Sequence, residues 1–243
     1  MTEPEQITPE LVAPEVISTE DAVNQRRFNA LIITGIVLPL LLYPFLCSLF
    51  LPWIDSATDR LLLSRFLIWG EVGLMYLYAR KAEMQPFILW PEQKYDAGFY
   101  ILSVVCLYLL VIAAGWISII PKLLGLHENN DIMMKMATMM KKSPALLYFG
   151  AITAGFTEEF IFRGYILTRL SLFFKNDHLP VIISALLFSI VHLGYKSLHE
   201  LIFVFLLGLL FGYYYQKYRS LSLLIFVHAL VDVLAFTFMR VHK

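Results

Sequence analysis

Between Phe28 and Trp53 the chain runs for 26 residues without one charged side chain. At 1.5 Å of rise per residue, a helix of that length exceeds the roughly 30 Å hydrocarbon core of a bilayer. Apolar runs of similar character follow at about 61–79, 97–120, 144–174, 180–194, 198–218 and 221–239. Inside lipid each backbone N–H and C=O has to find its partner within the protein, which leaves helices and closed barrels as the spanning structures. Long runs without a two-residue alternation select the helix. The chain is therefore expected to be all-α, a polytopic transmembrane bundle with seven spans, of which 144–174 is overlong and 180–194 short enough to be partly re-entrant.

Composition agrees, with 59% apolar and 16% charged residues, against roughly 45–50% and about a quarter in ordinary globular domains. The surplus needs a second apolar solvent, and the lipid bilayer is the first expected partner. Nineteen basic residues balance nineteen acidic ones, and no basic patch or glycine-rich phosphate loop is present, so nucleic acid is not an expected partner. Cys47 and Cys106 lie far apart in apolar runs, which excludes a disulfide framework and a cysteine zinc site.

Three regions are expected. Residues 1–26 form an acidic, weakly structured tail, with Glu3, Glu5, Glu10, Glu15, Glu20 and Asp21 set between Pro4, Pro9 and Pro14. Its charge is opposite to that of a secretory leader. Residues 27–143 hold the N-terminal transmembrane helices and their loops, and residues 144–243 the part that carries chemistry. Lys and Arg divide evenly between the two sides of a seven-span topology. Arg26 and Arg27, directly before the first span, favour a cytoplasmic N-terminus in the plasma (inner) membrane. The methionine-rich segment Ile132-Met133-Met134-Lys135-Met136 reads as a helix lying at the membrane interface.

Against this background the last four spans hold Glu158, Glu159, Arg163, His192, His228 and Asp232 well inside their apolar runs. Each charge at mid-bilayer costs about 2.5–3.5 kcal/mol on insertion scales, so the group is expected to meet in one protein-lined, hydrated pocket. Residues four apart share a helical face, which pairs Glu159 with Arg163 and places His228 beside Asp232. Glu158 points elsewhere on its helix and has no cation three or four residues away, which leaves it available as a base. Glu158, His192 and His228 fall at similar depth, counted from the nearest loops.

The segments Glu-Glu-x-x-x-Arg at 158–163, Phe-x-x-x-His at 188–192 and His-x-x-x-Asp at 228–232 resemble, in order and spacing, the motif set of the CPBP intramembrane proteases. That family, also called the Abi or CAAX-protease-and-bacteriocin-processing family, includes the type II CAAX prenyl endopeptidases. The resemblance covers about 144–239. It implies a helical bundle of about eight spans around a membrane-embedded catalytic cavity, hence seven or eight here. It further implies a peptidase acting near the terminus of a membrane-associated or lipidated protein or peptide. By motif position Glu158 and His192 would activate water, His228 and the residue at 232 would assist at the oxyanion, and Glu159 with Arg163 would support the site. The family's last position is often Asn; Asp232, an acceptor when ionised, is expected instead to orient His228 or to accept a metal.

Glutamate-type and metal-dependent mechanisms both fit the resemblance. Glu158, His192 and His228 would be the three ligands of a Zn²⁺ ion with an open position for water. The preferred expectation is no cofactor, since there is no His-Glu-x-x-His helix to fix two ligands and a base together. The alternative function is a non-catalytic bacteriocin-immunity or peptide-binding membrane protein. A transporter would carry inverted repeats, which the sequence lacks. Arg65 and Glu71 are expected to reach an interface or another helix. Arg169 and the cluster Tyr213, Tyr214, Tyr215, Lys217, Tyr218 and Arg219 are expected to be interfacial anchors, with His199 and Glu200 at headgroup level.

Overall fold

A computed structural model describes residues 19–126, 129 and 131–241, so most of the acidic tail lies outside the described residues. Among the described residues every regular element is a helix. Helix α1 spans Thr19–Phe50 and contains Pro39 and Pro44. It starts within the expected tail, several residues before the first apolar run. Helix α2 spans Ala57–Lys81, with Ser56 as N-cap accepting from the Asp59 N–H. Helix α3, Ala97–Ser118, begins on an Asp96 cap that accepts from the Phe99 N–H at 2.9 Å and is prolonged by the turn Ile120–Leu123.

The segment Asp131–Lys142 forms helix α4. Helix α5 runs over Pro144–Glu159 and continues as a π-helical stretch, Phe160–Leu167, and a closing α-turn, Thr168–Leu170. Helix α6 is His178–Ile190, α7 is Leu198–Tyr218 and α8 is Leu221–Val241. The start of α8 is capped by Glu92, which accepts from the Leu221 and Ser222 N–H groups at 2.8 and 3.2 Å.

Among the described residues six helices are long and apolar enough to cross a membrane: Glu20–Trp53, Ala57–Lys81, Ala97–Leu123, His178–Tyr195, Leu198–Tyr218 and Leu221–Phe238. Only about a fifth to a third of each is buried inside the protein. On α3, for example, Ile101 is 67% exposed and Trp116 72% exposed. Apolar faces of this extent need lipid to cover them, and the chain is an integral membrane protein.

Six of the seven expected crossings meet that length and apolarity among the described residues, and the one left over is the segment at 144–174, so the bundle is polytopic as expected with about six to seven spans. The segment expected at 144–174 is continuous helix only to Leu170, and its α-helical part is 16 residues long. Every residue from Ile161 to Leu170 is buried. The second half of this core helix is enclosed, with α8, α2 and α6 packed around the helix and its π-helical extension, while Tyr148, Phe149 and Ile152 of the first half stay exposed.

One of those charges overturns an expectation. Arg169 is fully buried, not interfacial. It pairs with Glu83 at 2.9 Å, donates to the carbonyls of Pro86 and Phe87 at 2.7 and 2.5 Å, and lies over the Tyr165 ring at 3.9 Å. The Tyr165 hydroxyl completes the cluster by bonding to Glu83. Tyr214 and Tyr215 are likewise buried, whereas Tyr213 and Lys217 reach the surface. The loop after α2 carries Glu83 and Pro86 back over the end of the core helix, which is what removes Arg169 from the interface.

Helix α4 packs against α5 and α8, with Met134 at the mouth of an internal cavity. The side chains of Met133 and Met136 lie outside the described residues.

Candidate active site

The site is built where α5, α6 and α8 meet. Two glycines set the spacing. A β-carbon at Gly155 would stand 2.8 Å from the Ala229 nitrogen on α8, and one at Gly208 on α7 would stand 2.9 Å from the Ala185 β-carbon on α6. Small residues let membrane helices approach this closely. Gly155 lies one turn before Glu158, so the α5–α8 contact also presents the carboxylates to His228. Gly155→Ala is expected to push the two helices apart, costing about 1–3 kcal/mol. A lowered thermal midpoint of the purified protein in detergent is the check.

Directly after Glu159 the core helix widens into its π-helical stretch, a local distortion common at functional sites. Glu159 is fully buried and faces two nitrogen donors. Arg163 Nη1 approaches Oε1 at 2.8 Å and His228 Nδ1 approaches the same oxygen at 2.7 Å. Arg163 is enclosed as well, its guanidinium 4.6 Å from the Phe188 ring centroid and 5.5 Å from that of Phe211.

His192 stands two residues beyond Ile190, the last residue of α6. Its Nδ1 is 2.7 Å from the Phe188 carbonyl oxygen. A carbonyl only accepts, so Nδ1 carries the hydrogen, and in the neutral ring Nε2 is left as an acceptor. That Nε2 faces Glu158 Oε2 at 3.9 Å, and the Nε2 of His228 faces the same oxygen at 3.8 Å. Asp232 lies on this side too, its Oδ2 4.0 Å from His228 Nε2.

Glu158, His192, His228 and Asp232 therefore share one pocket, as their spacing predicts, with Glu159 and Arg163 behind them. The support differs from the expectation in one respect. His228 is oriented through Nδ1 by Glu159, from another helix; Asp232, four residues along, is too distant to hydrogen-bond the ring. The separation along α8 puts Asp232 at the Nε2 edge, where the second carboxylate, Glu158, also lies.

The pocket is a cavity of about 540 Å³ that includes Glu158, His192, His228 and Asp232 in its wall, together with His199 and Glu200. His199 and Glu200 thus line the cavity, which sequence placement at headgroup level does not anticipate. A second cavity of about 420 Å³ adjoins it, walled by Pro39, Tyr43 and Pro44 of α1 and by Glu71 of α2. Glu71 is buried and accepts from the Tyr43 N–H at 3.1 Å. Arg65, Glu158, His192 and Tyr195 belong to the walls of both cavities. Tyr195, its ring 5.3 Å from that of His192, carried no signal in the sequence beyond its nearness to that histidine.

Among the described residues no three His, Cys, Asp or Glu side chains are gathered as the ligands of a metal ion would be. Glu158, His192 and His228 converge through one oxygen and two ring nitrogens, but at the 3.8–3.9 Å separations given above. Neither cysteine lines either cavity.

No curated protein and no solved structure matches the chain. A family of CAAX-type intramembrane proteases does match, over residues 141–234, a stretch that contains Glu158, Glu159, Arg163, His192, His228 and Asp232 and leaves α1, α2 and α3 outside. That family model is described as type II CAAX prenyl endopeptidase Rce1-like, and the stretch of this chain similar to it spans less than half of the sequence.

Proposed function

We propose that this protein hydrolyses a peptide bond near the terminus of a membrane-associated, lipidated protein or peptide, using Glu158 as general base and acid. The observation that carries the reading is the approach of both Nε2 atoms to Glu158 Oε2 at 3.8 and 3.9 Å. That gap is too long for a direct hydrogen bond and suits a water molecule held between the groups.

In the proposed cycle one O–H of the water donates a hydrogen bond to His192 Nε2 and keeps its proton, while Glu158 takes the proton of the other O–H as the oxygen attacks the scissile carbonyl. A C–O bond forms, and the carbonyl electrons move onto oxygen. His228, in its doubly protonated form, donates from Nε2 to that oxyanion, with Glu159 holding Nδ1 from behind. Asp232 contributes negative charge beside the ring. Glu158 then passes its proton to the departing nitrogen, the C–N bond breaks, and both products leave neutral in proton count. Roles of this kind need fixed geometry, which the Glu159–Arg163 pair supplies. The orientation that goes with the reading has the N-terminus in the cytoplasm.

A zinc-dependent variant would use Glu158, His192 and His228 as ligands and the ion to polarise water. The two versions part on one measurement. With purified protein in vesicles and an S-farnesylated peptide as probe, cleavage is expected to survive incubation with 1,10-phenanthroline. Loss of activity that returns with Zn²⁺, and not with buffer alone, would replace the metal-free cycle.

A further inference from the structure

Two arginines of the core helix are neutralised in place: Arg163 by Glu159 at 2.8 Å and Arg169 by Glu83 at 2.9 Å. Arg65 of α2 is different. Among the described residues no carboxylate oxygen lies within 4.0 Å of its guanidinium. Its one hydrogen bond is a 3.5 Å contact from Nε to the hydroxyl of the adjoining Ser64. It is half-buried, and it belongs to the walls of both cavities.

Arg65, Glu158, His192 and Tyr195 stand where the two cavities meet, and Arg65 is the permanent cation of the set. Glu71 and Glu158 share the wall of the second cavity with it, but neither lies within ion-pair distance, so its N–H donors are open to an anionic group of a ligand. Its planar fork matches a carboxylate through two parallel N–H donors. The chamber beyond, about 420 Å³ and walled largely by apolar side chains, is at the small end of the roughly 300–1,000 Å³ range of ligand pockets. It suits a chain end a few residues long better than a continuing polypeptide.

We propose that Arg65 docks the free C-terminal carboxylate of the peptide substrate and thereby holds the scissile bond at Glu158, a short distance from the chain end. This rests on the peptidase reading above. It assigns a recognition role to a residue outside the matched family segment, on a helix that contributes none of the motif residues.

The test compares three internally quenched peptides in vesicles containing the full chain: one with an S-farnesyl cysteine near a free C-terminus, its C-terminal amide, and the same amide with a glutamate near the end. The wild-type protein is expected to cleave the free acid roughly 10- to 100-fold more efficiently than the amide, as for loss of a hydrogen-bonded charge. In Arg65→Gln the acid-to-amide ratio of kcat/KM should fall to about one, mainly through KM, and Arg65→Lys should restore part of it. The substrate comparison in wild type does not depend on how well either variant folds. Equal cleavage of acid and amide by wild type overturns the Arg65 assignment and leaves the peptidase reading standing, as does an unchanged ratio in Arg65→Gln. Recovery of the rate by the glutamate-bearing amide overturns the chain-end source in favour of a side-chain carboxylate. Cleavage of none of the three overturns both proposals.

Discussion

Glu158→Gln is expected to lose cleavage by about 10²–10⁴-fold in kcat, the usual contribution of general acid–base catalysis, while the protein folds and melts as before. The amide keeps the size of the side chain but takes no proton from water. The fold is spared because Glu158 makes no close ion pair: its nearest charged or titratable neighbours are the two imidazoles at 3.8 and 3.9 Å. A substitution that breaks no short contact at a partly exposed site changes stability by about 0.5 kcal/mol or less. Cleavage assays and thermal melts on one preparation separate the two effects, and a variant with wild-type rate would remove Glu158 from the mechanism.

The adjacent carboxylate should behave in the opposite way. Glu159→Ala leaves the Arg163 guanidinium buried against Phe188 and Phe211 without its counter-ion and deprives His228 Nδ1 of its acceptor. Removing one member of a buried pair costs about 3–5 kcal/mol, a large share of the 5–15 kcal/mol that stabilises a typical domain. The expected result is a sharp drop in thermal midpoint, together with inactivity. Glu159→Gln, which retains the shape and one acceptor oxygen, should fall between. Neighbours in sequence thus differ in kind, one carrying the chemistry and the other the scaffold, because a helix turns about 100° between them.

Much of this was legible from spacing. The span at 198–218 ends at the residues expected, and Glu159 and Arg163 pair along one helix as i and i+4 neighbours should. What spacing along one helix cannot reveal is a partner on another. His228 has Asp232 four residues away, yet its hydrogen bond goes to Glu159, 69 residues earlier. Arg169 sits at the end of an apolar run, where an anchor is expected, but Glu83, 86 residues earlier, draws it inside. Hydropathy likewise does not distinguish burial in lipid from burial in protein, so it cannot show that the second half of the 144–170 helix, with its π-helical stretch, is enclosed by other helices. Arg65 and Glu71 were visible as charges out of place, but only the meeting of two cavities gives them a neighbourhood.

The central claim is that water, activated at Glu158, attacks the peptide bond directly. Single-turnover cleavage of the farnesylated peptide by the wild-type protein in vesicles, run in oxygen-18 water and read by mass spectrometry of peptide and protein together, tests it most closely. The account predicts one labelled oxygen in the newly formed carboxyl group and a protein of unchanged mass throughout the turnover. An intact peptide, or a protein transiently heavier by the acyl fragment, would contradict it.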